Sequence, residues 1–302
     1  MPQFSGVWPA MVTPLDADGR PNLSATEALV EAFIGENLDG LYITGSTGQW
    51  PMLSPSDRRQ VAECVVRTAT GRIPVMVHVG CAATDDAVAL ARHSMDIGAD
   101  AVSSVAPIYY GWTADHIFEH FRQIGLASEL PLFVYHLSSV HQLALDARDY
   151  ARRVCDLPRI EGMKITDRDL FQFGTIHHTA GEKLKLFSGA DELLCHATLS
   201  GSTGAIGTFY NVWGPACRTA RSAVINGNFQ AGLEFMQAFQ STLAEILASR
   251  SHWTFLQTAI KQLYGVDVGL PRAPLAVGNR EWAAEEVERL IDRVNQAAQS
   301  ID

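Results

Sequence analysis

Apolar residues are gathered in short runs spaced fairly evenly along the chain. Residues 7–11, 41–44, 74–79, 101–105, 132–135, 162–165, 184–187 and 205–208 are rich in β-branched, aromatic and small apolar side chains. Several lack the apolar–polar alternation of a half-exposed strand, as expected for parallel strands buried on both faces. Between them the apolar spacing lengthens to that of a helix. Ser24-Ala25-Thr26-Glu27 reads as a capping box ahead of Leu29, Phe33 and Ile34. Ser54, Pro55 and Asp57 place an N-cap and a first-turn proline before Val61 and Val65. Thr84 and Thr113 open two further helices, and residues 146–155, 167–178 and 191–199 fit three more.

Eight strand candidates alternating with helices predict an α/β fold, a (β/α)8 TIM barrel. The eighth helix covers about residues 210–224. Helical patterns then follow with no strand between them, at residues 229–247, 253–264 and 280–298. The expected organisation is a barrel over residues 1–226, holding the catalytic site, and a C-terminal helical subdomain over residues 227–302. Asn226-Gly227-Asn228 forms the joint, and Pro271-Arg272-Ala273-Pro274 a turn-rich link to the last helix.

Composition narrows the partners. The length of 302 residues suits a single barrel. The 33 acidic side chains outnumber the 23 basic ones, which argues against nucleic acid or an anionic membrane surface. There is no apolar run of membrane-spanning length, and the first residues lack the order of a signal peptide. Five scattered cysteines fit a reduced, cytoplasmic protein better than a disulfide framework.

A TIM barrel carries its chemistry at the C-terminal ends of its strands. Of the four lysines, only Lys164 lies near the end of an apolar strand. Desolvation there lowers a lysine's pKa and frees the amine to attack a carbonyl and form a Schiff base. A salt-bridged or snorkelling lysine is the plainer alternative. Tyr135 ends the preceding strand, where a phenol can shuttle protons, or else simply pack. Gly45-Ser46-Thr47-Gly48 follows the second strand and offers backbone N–H groups and two hydroxyls as a carboxylate cradle. The same tetrad recurs at Gly201-Ser202-Thr203-Gly204, but ahead of a strand, on the structural face. Asp191 and Glu192 either favour a helix start or accept hydrogen bonds from substrate hydroxyls.

Other signals carry less. His116, Glu119 and His120 match a zinc-protease spacing, yet they share what reads as the solvent face of their helix, opposite Ile117, Phe121 and Ile124. His177-His178 and the His136/His141 pair lack ligand spacing. No phosphate-loop or dinucleotide fingerprint is present, so no cofactor and no metal are expected. Cys81 reads as a small buried hydrophobe.

Taken in order, Pro9-Ala10-Met11-Val12-Thr13-Pro14, Gly45-Ser46-Thr47-Gly48, Ala106-Pro107-Ile108-Tyr109-Tyr110, Tyr135, Gly162-Met163-Lys164 and Gly204-Ala205-Ile206-Gly207 span nearly the whole chain. The sequence resembles the dihydrodipicolinate synthase/N-acetylneuraminate lyase family of class I aldolases. The resemblance implies that Lys164 forms an imine with pyruvate or another 2-keto acid. It implies that Tyr135 relays a proton and that Ser46 and Thr47 bind the carboxylate. It implies that Tyr110 enters a neighbouring subunit's site, within a homotetramer built as a dimer of dimers.

The lyase branch is the closer likeness. Thr166, the segment containing Gly189, Asp191 and Glu192, and Thr208 look like the lyase residues that hold a sugar acid's tail. Synthases carry an arginine where this chain has Val140, and a hydrophobe cannot clamp a second carboxylate. The expected function is cleavage or formation of a hydroxylated 2-keto acid, with an N-acetylneuraminate-like sugar acid favoured. The alternatives are a 2-keto-3-deoxy sugar acid aldolase or dehydratase, a 4-hydroxy-tetrahydrodipicolinate synthase, and a barrel that only binds a 2-keto acid. Three positions depart from the family pattern: His136, Ser138 and Gln49.

Overall fold

A computed structural model describes residues 3–140 and 145–301; His141 lies outside them. Eight parallel strands are arranged in the order β1-β8-β7-β6-β5-β4-β3-β2. They are β1 (Gly6–Pro9), β2 (Leu41–Ile43), β3 (Val75–His78), β4 (Ala101–Val105), β5 (Leu132–Leu137), β6 (Ile160–Thr166), β7 (Lys185–Ser188) and β8 (Gly204–Gly207). A parallel bridge from Ala10 to Tyr42 joins the two ends of the sheet. All eight strands fall where the apolar runs predict them.

Strand parity decides which side chains enter the barrel. Phe133, Tyr135, Lys164, Phe187, Tyr42, Met76 and His78 face inward, whereas Val134, Met163, Ile165 and Leu186 pack outward against helices. The interior is filled below the mouth by Phe4, Trp8, Met76, Phe133, Phe187 and Ile206. The barrel is therefore a packed core with a site only at its upper rim.

The helices alternate with the strands. They are α1 (Leu23–Gly35), α2 (Pro55–Ala69), α3 (Thr84–Asp96), α4 (Ala114–Ala127), α5 (Ala147–Cys155), α6 (Leu170–Ala180), α7 (Leu194–Leu199) and α8 (Tyr210–Ile225). Helices α9 (Phe229–Ala248), α10 (His252–Tyr264) and α11 (Ala284–Gln299) form the C-terminal extension. Trp213 of α8 stacks on Phe255 of α10 and meets Phe239 of α9 edge-on, which fastens the extension to the barrel.

Start signals were readable at most helices. Ser54 is the predicted N-cap of α2 with Pro55 in the first turn, and with Asp57 it forms a full capping box, while Thr113 and Asp146 cap α4 and α5. The Ser24 box is not formed. Asn22 caps α1 instead, its side chain accepting from the Ala25 N–H, so Ser24 already lies inside the helix. Thr84 is the first residue of α3 and opens it as predicted, though its hydroxyl is engaged by His120 Nδ1 at 2.9 Å and caps no backbone N–H. That contact corrects a second expectation. His120 is not on a solvent face but 2 % exposed, wedged between Thr84 and Ser104. His116 bonds Thr113, and Glu119 pairs with Arg122, so these three side chains do not converge. The segment expected as one helix over residues 191–199 starts as a 3₁₀ turn over Asp191–Leu193. All five cysteines are free thiols.

Candidate active site

A cavity of about 930 Å³ opens at the C-terminal ends of the strands. Ser46, Thr47, Thr166, Gly189, Asp191, Glu192 and Thr208 all line it. Thr166 ends β6 and the other six come from the loops after β2, β7 and β8, and the sequence placed all of them at the mouth.

Lys164 lies directly behind this lining and is 4 % exposed. Tyr135 stands beside it, paired in register across β5 and β6. The lysine Nζ is 4.5 Å from the ring centroid of Tyr135 and 4.5 Å from that of Tyr42. Thr166 Oγ1 donates to the Tyr135 phenol oxygen at 3.4 Å. Gly189 makes room for this arrangement. A Cβ there would lie 1.9 Å from Thr166 Oγ1 and 2.9 Å from Lys164 Cε. Only a residue without a side chain fits between the cavity and the lysine stem.

The cradle is held on two sides. Thr47 Oγ1 and Thr208 Oγ1 are 2.7 Å apart, while Thr13 donates to the Gly48 carbonyl at 2.8 Å. Gln49, in a left-handed conformation, accepts from the Arg272 N–H at 2.9 Å through its Oε1. Arg272 in turn donates to the carbonyls of Gly19 and Met52 and pairs with Asp57. The extension thus straps down the loop that carries Ser46 and Thr47. The amide of Gln49 is engaged in that strap.

Asp191 is buried at the cavity wall. Burial pushes its carboxyl up to about 7, against the opposing pull of the Phe209 N–H, which it binds at 2.7 Å. Glu192 adds to the rise and the charge of Lys164 opposes it. Glu192 itself accepts from Arg168 Nε at 3.1 Å, and its carbonyl accepts from Gln240 of α9. Beneath the site His78 is held well below the usual histidine range, first by burial and then by the charges of Arg58 and Lys164. It is a neutral spacer between Thr44 and the Val105 N–H.

A likeness to known proteins agrees with this geometry. Residues 3–294 match the model described as the dihydrodipicolinate synthetase family. The chain belongs to that family. Its members are carbon–carbon lyases of the aldolase class. The chain is 32 % identical to the N-acetylneuraminate lyase of Enterobacter sp. (strain 638), over 91 % of its own length and 92 % of that relative's. Among solved structures it resembles the sialic acid aldolase of Ruminococcus gnavus, with a TM-score of 0.92, 23 % identity and 99 % of both chains covered. It also resembles a dihydrodipicolinate synthase, with a TM-score of 0.82, 24 % identity and 99 % of both chains covered. At such identities the two structures speak for the fold.

Several site features were not anticipated from the family pattern. Leu243 and Leu247 of α9, and His252 and Trp253 of α10, line the cavity from the extension. No local motif announces them, because their role is set by how the extension folds back. Tyr42 faces the lysine, as its inward parity in β2 allows, but nothing in its neighbours marks it. Tyr110 is 66 % exposed and does not line its own chain's cavity. Its neighbour Tyr109 is 90 % exposed and has φ of 88°, a costly conformation for a side chain of that size. His136 also lines the cavity but lies against Tyr150 and Asp167, on the helix-facing side of β5. Among the described residues no helix is long and apolar enough to cross a membrane.

Proposed function

We propose that the chain is a Schiff-base-forming, pyruvate-dependent aldolase that cleaves or forms a hydroxylated 2-keto acid. An N-acetylneuraminate-like sugar acid is the favoured substrate. The observation that carries this reading is a solitary buried lysine, Lys164, behind Gly189 and flanked by the Tyr135 phenol at the barrel mouth. The lysine attacks the C2 ketone and water leaves, giving an iminium that withdraws electrons from C3. Tyr135 moves the proton of the C4 hydroxyl, the C3–C4 bond breaks to release the aldehyde, the resulting enamine is protonated at C3, and water hydrolyses the iminium to release pyruvate and free Lys164. Ser46 and Thr47 hold the C1 carboxylate. Thr166, Gly189, Asp191, Glu192 and Thr208 hold the hydroxylated tail.

The tail side supports the lyase reading over the synthase one. Asp191 and Glu192 supply acceptors for hydroxyls, and Val140 supplies no positive charge for a second carboxylate. We read Tyr110 as the residue that reaches a partner's mouth in a homotetramer. Its exposure in the single chain supports this. We also read residues 1–226 as the catalytic barrel and 227–302 as a helical subdomain that supplies one wall of the cavity. The compartment that fits free thiols is the cytoplasm.

Incubation with pyruvate, reduction with borohydride and peptide mapping test the proposal. The expected adduct is on Lys164, and N-acetylneuraminate releases pyruvate. No adduct on any lysine would sink the aldolase reading. Loss of water without release of an aldehyde would favour the 2-keto-3-deoxy sugar acid dehydratase.

A further inference from the structure

We infer that Tyr42 is a positioning residue for the imine lysine, through the face of its ring. The inference rests on Lys164 forming an imine, as proposed above. Lys164 Nζ lies 4.5 Å from the centroids of both Tyr42 and Tyr135, whose ring planes are nearly perpendicular at 87°. The two rings make an aromatic corner around one nitrogen. Both are buried, and so is the lysine. No carboxylate forms an ion pair with Lys164 among the described residues.

The chemistry changes the charge on that nitrogen. Free amine and ketone combine to a carbinolamine. The carbinolamine takes up one proton and loses water, and the product is a cationic iminium whose nitrogen is Nζ. A neutral amine gains little from an aromatic face. A cation within about 6 Å of one is attracted by the ring quadrupole, most strongly where water is excluded. The corner therefore favours the cationic iminium over the neutral carbinolamine that precedes it. It is complementary to the state that forms during turnover.

Tyr42 acts through its ring, because its hydroxyl points elsewhere. The phenol donates to Ser103 Oγ at 3.3 Å. The ring is also fixed from above. A Cβ at Gly45 would lie 2.3 Å from Tyr42 Cε1, so the first glycine of the cradle packs on this ring. Carboxylate cradle and iminium nitrogen are thereby held at one spacing by a single side chain.

The test is a series of rings at position 42. Tyr42→Phe, followed by fluorinated phenylalanines of rising fluorine count at the same site, keeps the shape and weakens the quadrupole. The readout is the pyruvate concentration that half-saturates borohydride trapping on Lys164, measured by intact mass. The expected result is a stepwise rise, reaching about tenfold for the trifluorinated ring, with Tyr42→Phe within about threefold of wild type. Tyr42→Leu should rise at least as far if it folds. A wild-type adduct with a flat fluorine series would overturn the role of Tyr42 alone. No wild-type adduct on Lys164 would remove the imine reading and this inference together.

Discussion

Thr47 Oγ1 and Thr208 Oγ1 lie 2.7 Å apart and join the loop after β2 to the end of β8, across the intervening strand β1. One hydroxyl must donate and the other accept. The pair fixes the orientation of the cradle before any ligand arrives. Thr208→Val leaves the hydroxyl of the buried Thr47 without that partner. Leaving a buried polar group unpaired costs about 1–3 kcal/mol. We expect KM for the 2-keto acid to rise about tenfold, with the trapped adduct at saturating pyruvate unchanged. Thr208→Ser should return KM to near the wild-type value. Steady-state kinetics on the three proteins checks this, and equal KM values would show that the pair has no part in binding.

Gly189 is the tightest point of the site. In Gly189→Ala the new methyl group would collide with Thr166 Oγ1 and press on the lysine stem. Displacing a reacting group by about 1 Å can cost about 100-fold in rate. We expect kcat to fall by about that factor and stability by about 1–3 kcal/mol. Adding Thr166→Ala removes the nearer clash and should restore much of the stability but less of the rate. Urea unfolding and kcat on single and double variants separate the two effects.

Lys164 should trade stability for chemistry. It is buried beside rings without an ion pair among the described residues. Lys164→Met keeps the volume and removes the ionisable group. Turnover and borohydride trapping should vanish, while unfolding free energy rises by about 1–2 kcal/mol. A variant with lower thermal stability than wild type would show that the lysine is a structural asset.

Asp191 makes stability depend on pH. Its folded-state pKa of about 7 lies above the ordinary 3.8, so the native state keeps a proton that the unfolded chain releases between those values. Stability should therefore fall as pH rises through that window and level off above it. Asp191→Asn retains an oxygen for the Phe209 N–H and removes the titration. Compared with wild type, it should lose less stability between pH 5 and pH 8, by a difference on the order of a few kcal/mol. Matching slopes in urea melts at the two pH values would contradict the shift. If Asp191 also holds the tail, KM for the sugar acid should vary through pH 7 in wild type and stay flat in the variant.

Much of this was legible because it is local. Strand runs, inward parity and most helix caps depend on residues within a few positions of one another. The alternation that turns Val134 outward also turns Tyr135 and Lys164 inward, and the register of β5 on β6 sets them side by side. What escaped the sequence is long-range. The contact of Gln49 with Arg272 spans 223 positions. The burial of His120 depends on Thr84 arriving from another helix, and the same contact occupies the Thr84 hydroxyl. Asn22 displaced Ser24 as a cap because an acceptor lay two residues earlier than the box. The face that Tyr42 turns to Lys164 follows from barrel closure, which no window of residues contains.

The wall built by Leu243, Leu247, His252 and Trp253 has a consequence for how such a protein diversifies. Bond breaking is entrusted to strands whose interior packing tolerates little change. On the proposed reading, recognition of the far end of the ligand is shared with α9 and α10, which line the cavity. The extension is in effect an exchangeable visor on a fixed anvil. New substrates can be acquired by altering α9 and α10, with the imine machinery carried over intact.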